Sequence, residues 1–288
     1  MQLLHLLPRF LRRHKCIEIL CKLGLQERTL EINFNNGSKA VVDLADPEPR
    51  NVFIKSEFET HFFDIAKAFL PGDGIFFDLG SNVGFCTFGL CFDRPEASYH
   101  LFEANPQLIG LLKRSIELHP LQKFVLNHAC VSDRVGTTRF QLEPNQSGQS
   151  HVSTQDDSGL VVSNLTLDDY CEAQLANSVD FAKIDLEGHE LPALQGWRKH
   201  LAEHKVKAIY IEIRPENQAR YGRPTNAPLA FLESLGYELY LCKEDDFGSF
   251  GGVMDKTRLT HGSLPLSSFK AKEYPENFAT DALALAPS

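Results

Sequence analysis

From residue 75 to the end of the chain, short apolar runs alternate with amphipathic ones, and this alternation restricts the possible folds more than any other feature. The pattern predicts strands at 75–79, 99–103, 124–131, 179–184, 208–213 and 237–241, with a last one at 282–286. Helices are predicted between them at 83–92, 106–118, 167–175, 191–201 and 229–235. Within 106–118, Leu108, Leu111, Leu112 and Ile116 share one helical face. Strands separated by helices make an open, mostly parallel sheet with helices on both faces, because parallel neighbours need a long crossover. Ligands of such sheets bind beyond the carboxyl ends of the strands, so the strand tips are where function is sought. Two stretches interrupt the alternation: 137–165 reads as an inserted hairpin and polar loop, and 243–278 as a loop with scattered glycines.

Ahead of the sheet, residues 29–45 read as two strands around Asn36-Gly37, a strong hairpin signal, and 57–70 as a helix closing at the turn cluster Pro71-Gly72-Asp73-Gly74. No repeat or linker breaks 70–288. The organisation is therefore a segment 1–28, a leading hairpin and helix at 29–70, and one domain at 71–288. Residues 1–28 carry six basic groups against two acids, a net +4, which leaves −13 for the other 260 residues. Leu3, Leu7, Phe10, Ile17 and Leu20 fall near helical spacing, so a basic amphipathic helix is expected. His5, Pro8 and the arginines rule out a membrane span, and the basic group follows the apolar run, the reverse of a secretory signal. Two readings stay open: a helix packed on the domain, or a peripheral contact with a membrane surface.

The net charge of −9 argues against a nucleic-acid partner, since phosphate binding needs a clustered cationic surface. Seven cysteines without a C-x-x-C pair suit neither a zinc site nor a disulfide framework. Free thiols in a reducing, cytoplasmic compartment are the expectation.

The first tip reads Phe77-Asp78-Leu79-Gly80-Ser81-Asn82-Val83-Gly84, a strand, a glycine turn and a helix start. Small residues there let the backbone approach a ligand. A dinucleotide fingerprint would place a glycine where Asn82 stands, and no lysine follows to make a phosphate-cradling loop. Asp78, just before the first glycine, repels a phosphate and suits an ammonium group. A cofactor with a cationic amino-acid end fits, and S-adenosylmethionine meets that description. Gly80, Ser81, Asn82 and Gly84 are the candidate loop contacts. The second tip, His100-Leu101-Phe102-Glu103-Ala104-Asn105-Pro106, places Glu103 23 residues after Gly80, where an acid accepting from ribose hydroxyls is expected, with Ala104 beside it. Asp133 or Asn105 could reach the adenine.

The fourth tip is the densest in chemistry: Lys183-Ile184-Asp185-Leu186-Glu187-Gly188-His189-Glu190, with Glu212 ending the neighbouring strand. Carboxylates crowded at one sheet edge repel one another unless a cation, a proton or substrate hydroxyls neutralise them.

The ordered blocks FDLGSNVG, HLFEANP, NHACVSD, LTLDDY, KIDLEGHELPALQG and IYIEI resemble the FkbM family of S-adenosylmethionine-dependent methyltransferases, over roughly residues 30–286. The resemblance implies a class I (Rossmann-like) methyltransferase, with a seven-stranded, mostly parallel sheet whose last strand is antiparallel. It also implies methylation of hydroxyls on saccharides or natural products. The stretch 243–278 is longer than such a connection usually needs. An aliphatic hydroxyl is a poor nucleophile, so a general base is wanted. His189 is the first candidate, because an ordinary imidazole takes up a proton near neutrality. Asp185 and Glu187 are the alternative bases or orienters. A divalent ion on Asp185, Glu187 and Glu212 is the alternative, less favoured route. The rivals are a non-catalytic binding module on the same fold and a nicotinamide oxidoreductase, which Asn82 disfavours. Methylation of an amine or carboxyl is a variant of the leading reading.

Overall fold

The computed structural model describes residues 14–24, 27–155, 158–174, 178–242, 258–261 and 264–287. Helix α1 (His14–Lys22) precedes an antiparallel hairpin, β1 (Thr29–Phe34) and β2 (Ser38–Asp43), in which Phe34 pairs with Ser38 across the expected turn. Two helices follow, α2 (Pro47–Lys55) and α3 (Thr60–Phe69). Only the second is anticipated by the hydrophobic pattern. The start of α2 is set by Asp46, whose side chain accepts from the Glu48 amide, and by Pro47 at the first helical position.

The alternating part then runs β3 (Ile75–Leu79), α4 (Phe85–Asp93), β4 (Ser98–Glu103), α5 (Pro106–Glu117), β5 (Lys123–His128), β6 (Cys130–Val131), β7 (Gly136–Gln141), β8 (His151–Val152), β9 (Leu160–Leu165) and α6 (Leu167–Gln174). It continues with β10 (Val179–Ile184), α7 (Glu190–Gln195), α8 (Arg198–Ala202), β11 (Val206–Ile213), α9 (Pro215–Arg220), α10 (Ala227–Ser234), β12 (Glu238–Leu241), β13 (Arg258–His261), β14 (Leu264–Phe269) and β15 (Thr280–Leu285). The main sheet has the order β5-β4-β3-β10-β11-β15-β12-β14-β13. Strands β5, β4, β3, β10 and β11 are parallel, and β15 runs antiparallel between β11 and β12, as the resemblance implies for a last strand. Among the described residues the count is nine and not seven, because β13 and β14 form an antiparallel extension beyond β12 within the stretch expected to be loop. Residues 243–257 of that stretch lie outside the described residues.

Three further differences have local causes. The third predicted strand divides after His128. Its first part stays at the sheet edge, and Cys130–Val131 joins a second, four-stranded sheet of order β6-β9-β7-β8 that contains the inserted hairpin. The helix predicted at 191–201 divides at Gly196, where a Cβ would come within 2.0 Å of the Ser132 carbonyl oxygen. A short helix α9 follows Arg214, where Pro215 starts it.

Adjacent residues of β3 face opposite layers. Phe76 packs with Phe62 and Phe181 beneath the hairpin and α2–α5, whereas Phe77 stacks on Trp197 at 5.6 Å among α6–α8 and α10. Helix α1 joins the first layer through fully buried Ile17, with Leu20 and Cys21 against it. The predicted helix segment 1–13 lies outside the described residues. Among the described residues no helix is long and apolar enough to cross a membrane.

Candidate active site

Strand order reverses between β3 and β10, and a cavity of about 160 Å³ opens beyond their carboxyl ends. The turn after β3 is shaped by contact with the neighbouring tip. Gly80 has φ +80°, and a Cβ there would come within 1.9 Å of the Asp185 carbonyl oxygen, so glycine is demanded both by conformation and by space. The amides of Gly80 and Ser81 donate to the Phe102 carbonyl at 3.0 and 3.1 Å, tying the turn to β4. Gly84, also left-handed, begins α4 under Phe88 and Leu112.

Glu103 stands at the end of β4 with its carboxylate held at both oxygens. Oε2 accepts from the Asn82 amide and Oε1 from the Asn105 amide, each at 2.7 Å. Burial pushes its pKa up to about 7, against the pull of those amides. A carboxylate has about four lone-pair positions, so the fixed group retains capacity to accept from two hydroxyls. Asn105 itself caps α5, its side chain accepting from the Gln107 amide at 2.9 Å. Ala104 lines the cavity beside Glu103. Asp133 is exposed and does not line it, accepting instead from the Ser132 hydroxyl at 3.1 Å.

The opposite wall is the fourth tip. Lys183 lies beside Asp78 in register on the adjoining strand, and its ammonium is 2.7 Å from Asp185 Oδ2. Burial works to neutralise Lys183, but the charge of Asp185, with Cys86 and Asp78, outweighs it and holds the pKa well above the ordinary value. Asp78, buried by its strand, is pushed upward by burial and accepts from the Thr87 hydroxyl at 2.6 Å. Burial also raises Asp185, yet Lys183 and a hydrogen bond from Glu212 prevail and keep it ionised. Glu212 takes the complementary state. Burial first, and the Asp185 charge second, drive its pKa to about 10, while Arg214 sits 2.7 Å from Oε1.

Glu187 adopts a left-handed backbone (φ +53°), with Oε2 accepting from Asn217 at 2.8 Å and its carbonyl accepting from Arg220 at 2.8 Å. Burial, helped by Asp185, raises its pKa to about 7. Donor atoms of Asp185, Glu187 and Glu212 lie within 4.8 Å of one another. His189 is buried on the same wall, and burial together with Arg223 lowers its pKa to about 4. Its Nε2 is 3.0 Å from the Ser132 hydroxyl, which donates onward to Asp133, so Nε2 carries the proton and Nδ1 is left buried without a protein partner. Glu190 does not face the cavity. Its Oε1 accepts from the Leu186 and Gly188 amides and clamps the loop.

Of the residues expected at the site, Gly80, Asn82, Glu103, Ala104, Asp185, Glu187, His189 and Glu212 line one cavity. Ser81 lines an adjoining recess, and Asp78 and Gly84 support the loop from below. Sequence reasoning overlooked Glu48 and Glu59, which enter from the leading segment, and Ser147, from the inserted sheet. The Asn82 side chain joins two of them, donating to Glu48 at 3.0 Å and accepting from the Ser147 hydroxyl at 2.7 Å. The Asp46-Pro47 cap was the one available sign that α2 would exist.

A switch-point cavity between an acid-ended second strand and an antiparallel last strand defines the class I, S-adenosylmethionine-dependent methyltransferase architecture. The chain belongs to the FkbM methyltransferase family, whose domain model (Methyltransferase FkbM domain) matches residues 78–239, more than half of its length. Among curated relatives it is similar to the hexuronic acid methyltransferase AglP of Haloferax volcanii, 27% identical over 49% of this chain and 56% of that protein. It thus spans little more than half the length of that relative. It is also similar to the 2-O-methyltransferase NoeI of Sinorhizobium fredii, 26% identical over 57% of this chain and 72% of that protein. Among solved structures it is similar to precorrin-6y C5,15-methyltransferase of Geobacter metallireducens, at 14% identity and a TM-score of 0.41, over 80% of this chain and 89% of the other.

Proposed function

We propose that this protein transfers a methyl group from S-adenosylmethionine to a hydroxyl of a saccharide or glycosylated natural product. The observation that carries the reading is the pairing, across one cavity, of Glu103 fixed by two amides with the carboxylate face of Asp185, Glu187 and Glu212. The residues present fit the cofactor. Gly80 leaves the loop no side chain, and Glu103 has lone pairs left for a ribose. The activities named for the two relatives, on a hexuronic acid and at a 2-O position, support a sugar hydroxyl as acceptor.

When bound, the sulfonium supplies an activated methyl group. The chain's own task is to align the acceptor, exclude water and receive a proton. Glu187 suits proton uptake better than His189, since its carboxylate titrates near 7 whereas the buried imidazole titrates near 4. Ionised Asp185, already accepting the Glu212 proton, keeps lone pairs that can accept from hydroxyls of a polyol. Incubation with S-adenosylmethionine and a panel of glycans and natural products, read by mass spectrometry for one added methyl group, tests the reading. Cofactor binding without turnover on any member would favour a non-catalytic binding module.

A reducing, cytoplasmic compartment is supported by seven free cysteines, five of them buried. Helix α1 commits Ile17, Leu20 and Cys21 to the core and leaves Ile19, with Leu23 just beyond it, exposed to any peripheral membrane contact.

A further inference from the structure

The two faces of helix α1 differ in character. Ile17 is fully buried, and Leu20 and Cys21 pack beside it against the first layer. On the other side Cys16, Ile19 and Leu23 follow at i, i+3 and i+7, and the Leu23 amide still donates to the Ile19 carbonyl at 2.9 Å. They therefore form one stripe along the helix and the turn that ends it. All three are exposed, Ile19 at 54% and Leu23 at 65%. Cations accompany the stripe. Lys15 and Lys22 lie exposed on the same helix, and Arg28 directly precedes β1. Arg50 stands on α2 with its Nε buried and unpartnered, and its charge reaches both Glu18 and Cys21. Two acids stand among these cations: Glu18, bound by Lys22 at 2.7 Å, and Asp43, bound by Arg28 at 2.5 Å. Lys15 and Arg50 enter no ion pair among the described residues.

We propose that this outer face of α1 docks the protein on an anionic membrane surface. The charge distribution selects the partner. Residues 1–28 carry +4 and the other 260 carry −13, so an anionic bilayer attracts this end and repels the remainder, which fixes the orientation of approach. Arg9, Arg12 and Arg13, just ahead of α1 in sequence, supply three of the segment's six cations. The apolar stripe supplies the second attraction. A helix lying in the plane of a membrane sinks its apolar side chains between the headgroups, while its lysines stay level with the phosphates. The contact is shallow, because the opposite face of the same helix is held in the core by Ile17. A second copy of the chain is the poorer occupant. A nine-residue helix is about 14 Å long, and three apolar side chains on it cover less than the ~800 Å² per partner of a stable interface. The contact involves none of the residues that line the active-site cavity, so it holds whatever the methyl acceptor is.

Co-sedimentation of the full chain with lipid vesicles tests the proposal. Vesicles of phosphatidylcholine with an equal part of phosphatidylglycerol should bind it about tenfold or more tightly than phosphatidylcholine alone. Raising the salt from about 0.1 to 0.5 M should remove most of that difference. Ile19→Ser together with Leu23→Ser should weaken binding to the anionic vesicles about tenfold, since two apolar side chains no longer leave water. Lys15→Gln together with Lys22→Gln should reduce the preference for anionic lipid. All four side chains are exposed, so both double variants should unfold at the wild-type Tm, which reports that they fold. Equal binding of the wild-type chain to the two kinds of vesicle, or binding to neither at low salt, would overturn the proposal. So would wild-type binding by both double variants. A concentration-dependent dimer that the serine pair abolishes would assign the face to a second copy and overturn it as well.

Discussion

Replacing Glu187 with glutamine keeps the side chain's size and its contact with Asn217 but removes the one carboxylate of the acceptor wall that titrates near neutrality. A base works in its deprotonated form. With a pKa of about 7, Glu187 is roughly one-tenth ionised at pH 6 and nine-tenths at pH 8, so the rate should climb about tenfold over that interval. A sulfonium nearby favours the carboxylate and moves the midpoint downward, so a midpoint between about 5.5 and 7 is expected in the loaded enzyme, with the tenfold climb its upper limit and the rise moving to lower pH as the midpoint falls. His189 predicts a different curve. Its pKa of about 4 leaves it fully deprotonated throughout, and the profile would be flat above pH 5.5. Glu103 and Glu48 also titrate near 7 and line the proposed cofactor side of the cavity, so the measurement is single-turnover methyl transfer at saturating cofactor and acceptor. Under those conditions E187Q should lose about 10²- to 10⁴-fold in rate and the pH dependence with it. H189Q should keep both the slope and most of the rate. If E187Q retained the wild-type profile, the assignment of the base would be wrong; a flat wild-type profile would sink it too.

Gly80→Ala forces a side chain into a left-handed backbone and against a carbonyl oxygen, and should destabilise by about 2 kcal/mol or more, a fall in Tm of roughly 4–8 °C measurable by calorimetry. Lys183→Met strips Asp185 and Asp78 of their shared buried cation and should cost about 3–5 kcal/mol in denaturant unfolding, part of which Lys183→Met with Asp185→Asn recovers. A double-variant loss equal to the sum of the Lys183→Met and Asp185→Asn losses would show that the pair does not interact. Glu103→Ala should weaken S-adenosylhomocysteine and 5′-methylthioadenosine alike, since it acts on the adenosine end. Exhaustive chelation should leave methyl transfer unchanged, and loss of activity restored by Mg²⁺ would place an ion on Asp185, Glu187 and Glu212.

The sheet and its tips were legible because their signals are local and repeated. The alternation of runs placed the core strands, and Gly80, Glu103, Asp185 and Glu212 fell together because parallel strands end on one edge. What escaped is set by tertiary contact. The 243–278 stretch reads as loop, yet 258–261 and 264–269 pair as strands because β12 offers an open edge. Helix α2, only nine residues with three of them buried, has too few apolar positions to announce itself. Its Glu48 therefore went unseen. The protonation behaviour of the candidate bases was not legible either, because an imidazole's ordinary pKa says nothing of the burial that lowers it at His189, and the same burial lifts Glu187.

The acidity of the tips finds its counter-charges largely within the strands that carry it. Asp78 and Asp185 share Lys183, one residue of β10 lying between two acidic ends. Glu103 is stabilised without any cation, by amides of the two neighbouring turns. Glu212 is neutralised by a proton, which the ionised Asp185 accepts in a hydrogen bond, and Arg214 stands against its other side. Asp185, Glu103 and Glu212 are thus satisfied by the chain, whereas Asp78 keeps one buried oxygen, Oδ1, without a protein partner; the electrostatic reason for a metal at the Asp185–Glu212 pair is removed. Glu48 and Glu187 are held by neutral amides, Asn82 and Asn217, with the charges of Lys183 and Arg220 acting on them more weakly than burial, which holds both near 7. One faces the recess and the other the acceptor wall, on opposite sides of Asp185. A hydroxyl acceptor that delivers a proton to Glu187 would discharge it, as the proposed methyl transfer to an alcohol requires.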